Sequence, residues 1–188
     1  DGALPVPEAE QIVPNLFELT RFAVERRIPI LAFVDSHENG SPALEGFPPH
    51  CLRGTPGQAK LHATSPDSSQ VLDPALMNRQ IQQLVAGRLA QAVIEKHKPD
   101  IFSVELTAKA LAAIAPTAVY IYGVTTEHSI HDAALGLVDR VPRTHLVLDA
   151  IKAIDETAGI KAIEAMTDAG ARPTTTQGLM RQLQSENA

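Results

Sequence analysis

Three short segments of the chain hold side chains suited to chemistry. The first is Asp35-Ser36-His37, followed by His50 in Pro48-Pro49-His50-Cys51, which supplies a carboxylate and two imidazoles. Such donors suit zinc, iron or manganese, and a three-ligand site leaves positions open for water or substrate. If a strand ends at Asp35, then Asp35 and His37 leave the same side of the pleat, and a loop can return His50 to them. The same residues also read as a turn cap followed by two solvated histidines. The second segment is Lys96, after the apolar run Ala92-Val93-Ile94. An ammonium there can stabilise a developing anion, although a strand ending in lysine, with His97-Lys98 continuing the charge, is also commonplace. The third is Gly123-Val124-Thr125-Thr126-Glu127-His128-Ser129. A tight turn into a helix start presents backbone N–H groups and the positive dipole end to an anion, with Ser129 as candidate nucleophile. Thr125 or Thr126 reads equally well as a helix N-cap, with Ser129 an ordinary first-turn residue.

The elements that must position these residues alternate between helix and strand. Residues 8–27 carry Ile12, Val13, Leu16, Leu19, Phe22 and Ala23 at helical spacing. The run Ile28–Val34 then reads as a strand buried on both faces. Further strands are expected at Ala92–Ile94, Ala118–Tyr122 and His145–Asp149, with helices over about 103–115, 126–140 and 155–169. Residues 171–188 suggest a peripheral strand and helix. Alternation of this kind predicts a doubly wound, Rossmann-like α/β fold: a three-layer sandwich with a parallel sheet. Residues 38–70, rich in Pro, Gly, Ser and His, interrupt the pattern as a long loop of the kind that carries function. In such folds ligands bind beyond the carboxyl ends of the strands, where all three segments fall.

Composition narrows the function classes. A single domain is expected over residues 1–188. A formal charge of −6 argues against a nucleic-acid partner, since phosphate binding needs a basic surface. The lone Cys51 excludes an internal disulfide and suits a reducing compartment. No apolar run approaches the roughly 20 residues a membrane span needs, and the first residues lack a signal pattern. The expectation is a cytoplasmic protein with a small-molecule substrate. His62, in the loop, and His145, opening a strand, are expected to be solvated and structural respectively.

In this order the segments resemble the isochorismatase-like hydrolases, and within them the nicotinamidases. Gly2-Ala3-Leu4-Pro5-Val6-Pro7 with Ile12-Val13-Pro14 is similar to the family segment after its first strand. Asp35-Ser36-His37, Phe47-Pro48-Pro49-His50-Cys51 and Gly54-Thr55-Pro56-Gly57 are similar to the nicotinamidase metal loop, and Lys96-x-x-x-Asp100-x-Phe102-Ser103 to the segment bearing the catalytic lysine. Gly123–Ser129 resembles the nucleophile turn, whose last position is normally cysteine. The resemblance implies an acyl-enzyme mechanism at position 129, with Lys96 activating the nucleophile electrostatically. It implies a cis peptide at Val124–Thr125 that aims the N–H of Thr125, with that of Ser129, at the oxyanion. It also implies an aromatic wall at Phe47, a divalent ion (Zn, Fe or Mn) on Asp35, His37 and His50, and assembly as a homo-oligomer.

Two departures accompany the resemblance. Ser129 stands where the family has cysteine, and a hydroxyl ionises far less readily than a thiol with pKa near ~8.5. The family's catalytic aspartate ends a first strand ahead of the Gly-Ala-Leu motif. Asp1 adjoins that motif and does not match it, so this strand is expected to be missing from the sequence, leaving two unpaired sheet edges. The leading expectation is an amidohydrolase cleaving the C–N bond of nicotinamide or a similar small amide. The alternatives are an isochorismatase-type hydrolase of another small substrate and a catalytically inactive homologue that binds a ligand or partner.

Overall fold

The computed structural model describes residues 2–185, so Asp1 and the last three positions of the expected terminal helix lie outside the described residues. The chain divides into two compact units. One contains residues 23–115 with the N-terminal residues through Pro5, and the other contains residues 6–22 and 116–185.

In the first unit, β1 (Ile30–Asp35), β2 (Ser69–Val71) and β3 (Gln91–Lys96) form a parallel sheet in the order β1-β3-β2. The register pairs Leu31 with Ala92, Phe33 with Ile94 and Asp35 with Lys96. Because side chains alternate across a strand, these six residues leave one face of the sheet. Helix α2 (Met77–Val85) and helix α3 (Glu105–Ile114) supply the residues that pack on that face. Leu72, Ile81, Leu84, Leu89, Ala92, Ile94 and Ala110 form the buried cluster, with Leu31 and Phe33 packed against it. At ~25 cal/mol per Å² of apolar surface, such burial is the main force holding the strand ends in place. The polar pair Asp35 and Lys96 thus terminates a face that is otherwise apolar.

The second unit holds most of helix α1 (Val13–Glu25), which follows a 3₁₀ turn at Ala9–Ile12. Ile12 of that turn and Leu16, Leu19 and Phe22 of the helix form one buried stripe, at the i, i+4, i+7 spacing of an amphipathic helix. Its parallel sheet orders β4 (Val119–Val124), β5 (Thr144–Lys152) and β6 (Arg172–Thr174) as β4-β5-β6. Between them run α4 (His131–Val138) and α5 (Glu156–Asp168), and α6 (Thr176–Ser185) closes the chain. β5 is buried along most of its length, as a central parallel strand should be. Its Asp149 carboxylate accepts from the backbone N–H (2.8 Å) and hydroxyl (2.9 Å) of Thr176, the first residue of α6. Asn15 Nδ2 of α1 donates to the Asp149 carbonyl at 2.6 Å.

The alternation expected from the sequence is present, with two differences. β2 and α2 lie inside or just beyond the stretch expected as loop, and the helix expected over 126–140 begins as a π-helical turn at Thr126–Ile130 before α4. No helix among the described residues is long and apolar enough to cross a membrane.

Candidate active site

The first unit gathers Asp35, His37, Phe47, His50 and Lys96. Past Asp35 the chain stays extended: the Ser36 N–H donates to the Lys96 carbonyl at 2.8 Å. His37 forms an isolated parallel bridge with Leu52. It donates to the Cys51 carbonyl at 3.0 Å and accepts from the Arg53 N–H at 2.9 Å. This bridge returns the loop alongside the strand extension, and Cys51 turns through a left-handed φ of 46° to make it possible. The two imidazoles consequently lie edge to face, with ring centroids 5.0 Å apart. Phe47, a residue 41% exposed, packs edge-on to His50 with ring centroids 6.0 Å apart.

His37 is buried, and burial, aided by the neighbouring His50 and then by Lys96 and His97, holds its imidazole below the usual histidine range despite the opposing pull of Asp35. Among the described residues its buried Nδ1 has no hydrogen-bond partner. His50 Nδ1 lies 2.9 Å from the Pro48 carbonyl; as the donor there, it would keep its lone pair on Nε2. Asp35 is differently engaged. Lys96 Nζ sits 2.5 Å from Asp35 Oδ1, with the lysine side chain only 3% exposed. The ammonium also donates to the Lys98 carbonyl at 3.1 Å. Among the described residues no group of three His, Cys, Asp or Glu side chains is arranged to hold a metal ion. The expected set therefore brings two imidazole rings together while its carboxylate is held by the lysine, and no chemical step below is routed through an ion. Burial first, and Asp35 second, raise the Cys51 thiol above its ordinary pKa, so it is not poised as a nucleophile.

Sequence reasoning missed the brace behind these residues. Ser36 is fully buried, and its Oγ accepts from Gln58 Nε2 at 2.9 Å and Arg53 Nε at 3.2 Å while facing Glu95 Oε2 at 3.3 Å. Gln58 also bonds Glu95 Oε1 at 3.1 Å and accepts from the Gly54 N–H at 2.7 Å. These contacts fasten loop 53–58 to the ends of β1 and β3. A hollow of ≈ 410 Å³ lined by Val34, Val93, Glu95, Gln58 and Lys60, among others, opens on this side. By strand alternation Val34 and Glu95 face away from Asp35 and Lys96, so that hollow is not where the candidate chemistry lies. Only the Asp-Ser-His string pointed to Ser36; nothing in the sequence marked Gln58.

The second unit carries the nucleophile turn. β4 ends at Val124, and the peptide bond from Val124 to Thr125 is cis. The π-helical turn Thr126–Ile130 follows, with half-buried Ser129 on it, and the Ile130 N–H donates to the Thr125 carbonyl at 3.1 Å. Thr126 and Ile130 are buried and anchor the turn. Neither Thr125 nor Thr126 uses its side chain as the N-cap that the sequence also allowed. Glu127 does the fastening instead: its Oε1 accepts from the N–H groups of Ile154 (2.8 Å) and Asp155 (2.9 Å) ahead of α5. Of the two histidines flanking Ser129, His131 Nδ1 lies 3.0 Å from Asp132. His62 is exposed and His145 stacks on Tyr120 at 4.8 Å.

Comparison with known proteins sets these features in a family. The sequence profile of the isochorismatase domain matches residues 1–178. No curated protein matches the chain in sequence. Among solved structures, a pyrazinamidase of Pyrococcus horikoshii in complex with zinc is 26% identical, with a TM-score of 0.73 over 92% of this chain and 89% of that one. An N-carbamoylsarcosine amidase from Thermoplasma acidophilum is 19% identical with a TM-score of 0.70, over 92% and 87% of the two chains. An isochorismatase-like hydrolase from Alkaliphilus metalliredigens is 14% identical with a TM-score of 0.74, over 96% and 88%. These likenesses bear out the expected fold class, an isochorismatase-like α/β fold of parallel sheets and helices.

Proposed function

The chain belongs to the isochorismatase family of hydrolases, and from that premise we propose that it cleaves the C–N bond of a small amide, nicotinamide or a near relative, through a nucleophile at position 129. The observation that carries this reading is the turn at 126–130, which sets Ser129 between the end of a parallel strand and a helix start. In the proposed reaction the Ser129 hydroxyl oxygen attacks the amide carbonyl carbon and loses its proton. The C–N bond then breaks, and the nitrogen leaves as ammonia carrying a proton. Water hydrolyses the resulting ester and regenerates the hydroxyl. The backbone N–H groups of Thr125 and Ser129 are assigned to the developing oxyanion, and electrostatic activation of the nucleophile to Lys96, the roles that the family pattern implies. Phe47 is assigned to stacking against a flat ring. A divalent ion (zinc, iron or manganese) is assigned to His37 and His50, with Asp35 as the third ligand the family pattern implies. A zinc complex among the structural neighbours supports that assignment. We further infer a cytoplasmic homo-oligomer that acts on small molecules.

Ammonia release from nicotinamide, pyrazinamide and an N-carbamoyl amine, measured beside turnover of isochorismate, tests the reading. Release from any of the three supports amide hydrolysis. Turnover of isochorismate alone would move the protein to vinyl-ether chemistry, and binding without turnover would make it a non-catalytic member of the family.

A further inference from the structure

The sheet of the first unit has a second face, turned away from Asp35 and Lys96. We propose that the hollow on that face binds a small apolar carboxylic acid, its carboxylate paired with Lys60 and its apolar body laid over Val71, Val93 and Val34.

Backbone register lays out the floor of the hollow. Gln91, Val93 and Glu95 leave β3 on the same side, opposite to Lys96. Ser69 and Val71 of β2 pair with Gln91 and Val93, and Val34 of β1 pairs with Glu95. The floor therefore runs from a polar row, Ser69 and Gln91, across the valines to Glu95, about 13 Å away at ~3.3 Å per strand residue. Gln58 and Lys60 of the long loop also line the space, which measures ≈ 410 Å³. Val71 is 57% exposed, apolar surface that an occupant would take out of water.

The two charges of the hollow are unequally satisfied. Glu95 accepts from Gln58 Nε2 at 3.1 Å, faces Ser36 Oγ at 3.3 Å and lies 3.8 Å from Arg53 Nη2. Lys60 has neutral partners: its Nζ donates to the carbonyl and the hydroxyl of Thr64. The same Thr64 carbonyl accepts from the buried Gln91 Nε2 at 3.1 Å. Lys60 is thereby placed at the Gln91 end of the floor, away from Glu95. Among the described residues it forms no ion pair, and burial alone lowers its amine to about 8. An ammonium half withdrawn from water is short of a counter-charge, and with two of its three N–H groups on Thr64 one remains for a ligand. One unmatched charge and one donor suit a monoanionic carboxylate. A doubly charged phosphate would bring a second negative charge, with no cation to match it, into a hollow that already holds Glu95. The valines require the rest of the ligand to be apolar.

Hydrocinnamate and hydrocinnamyl alcohol share an apolar body and differ in charge, so they serve as probes with the full chain at neutral pH. Titrations followed through backbone amide resonances read both affinity and place. Hydrocinnamate is expected to bind about tenfold or more tighter than the alcohol, the scale of a hydrogen bond to a charged group, with shifts at β2, β3 and residues 58–65. Lys60→Met should remove that preference and Lys60→Arg should keep it, each fold first checked by far-UV circular dichroism. On the unaltered chain, saturating hydrocinnamate is expected to slow acetylation of Lys60 by an N-hydroxysuccinimide ester at least severalfold, read by mass spectrometry; this arm needs no variant to fold. Equal affinity for acid and alcohol, or a preference that survives Lys60→Met, would overturn the proposal. So would shifts confined to the surroundings of Asp35 and Lys96, Lys60 acetylation unchanged by the acid, or no binding of the acid.

Discussion

At the scale of single residues, the first unit depends on polar groups whose worth lies in being fully partnered. Ser36 Oγ serves Gln58, Arg53 and Glu95 at once, in full burial. Its removal would leave those groups to find other partners, which typically costs about 1–3 kcal/mol. We expect Ser36→Ala to lower stability by that amount, read as a shift in the urea midpoint at constant slope. Lys60 offers a test with a definite sign. Burial lowers its amine to about 8, below its ordinary 10.5, although it bonds the Thr64 carbonyl and hydroxyl. The unfolded chain therefore binds the extra proton between those two values, and stability should rise with pH across that window. Urea midpoints for wild type and Lys60→Met should accordingly converge in the wild type's favour from pH 8 to 10.5. A constant difference would contradict the burial. The residue types at Asp35, His37, His50 and Lys96 were legible in the sequence because metal donors and amines are recognisable singly. The pairing of Asp35 with Lys96 was not, because strand register across sixty intervening residues sets it.

At the scale of elements, the nucleophile turn is held from outside itself. Glu127 accepts two backbone N–H groups from the segment before α5. Glu127→Ala should orphan both and cost about 1–3 kcal/mol, whereas Glu127→Gln keeps an acceptor oxygen and should cost much less. Thermal midpoints of the two variants check this. Gly159 on α5 is a second contact point. A Cβ built there would lie 2.5 Å from Ala153 Cβ, an atom fixed to the backbone. The helix-propensity gain of about 1 kcal/mol for Gly→Ala is set against an overpacking cost of about 1–3 kcal/mol. The clash should win, so Gly159→Ala is expected to destabilise, and a raised melting temperature would refute the close packing. Element types were readable where the apolar period was long, as in α1, β1 and β5. β2 was hidden by its three-residue length. α2 was hidden by polar residues between Met77, Ile81, Leu84 and Val85, although that spacing is helical. The π-helical turn at Thr126–Ile130 has no period of its own to read, because its shape follows from the neighbours that anchor it.

At the scale of the whole molecule, strand–helix alternation was enough to name the α/β class, because parallel strands buried on both faces and separated by helices admit few other arrangements. The family profile spans both compact units, so the candidate residues of each belong to one family pattern. Their chemistry was legible only through that pattern: Ser129 taken alone is an unexceptional helix-start residue, and Lys96 taken alone is a strand end. The acidic charge of −6 is also a whole-molecule property. That charge predicts no salt-dependent nucleic-acid binding.

The central claim, that position 129 carries the nucleophile of an amide hydrolase, is tested most directly by changing that position alone. Ammonia release from nicotinamide would be compared for the chain as it stands, Ser129→Cys and Ser129→Ala, each checked for fold. A thiolate forms at far lower cost than an alkoxide. The account therefore predicts that Ser129→Cys exceeds the serine form by on the order of 10²-fold, a factor typical of one missing activation step, and that Ser129→Ala is inactive. Equal release by all three forms would contradict it, as would no release from the cysteine form while its fold is intact.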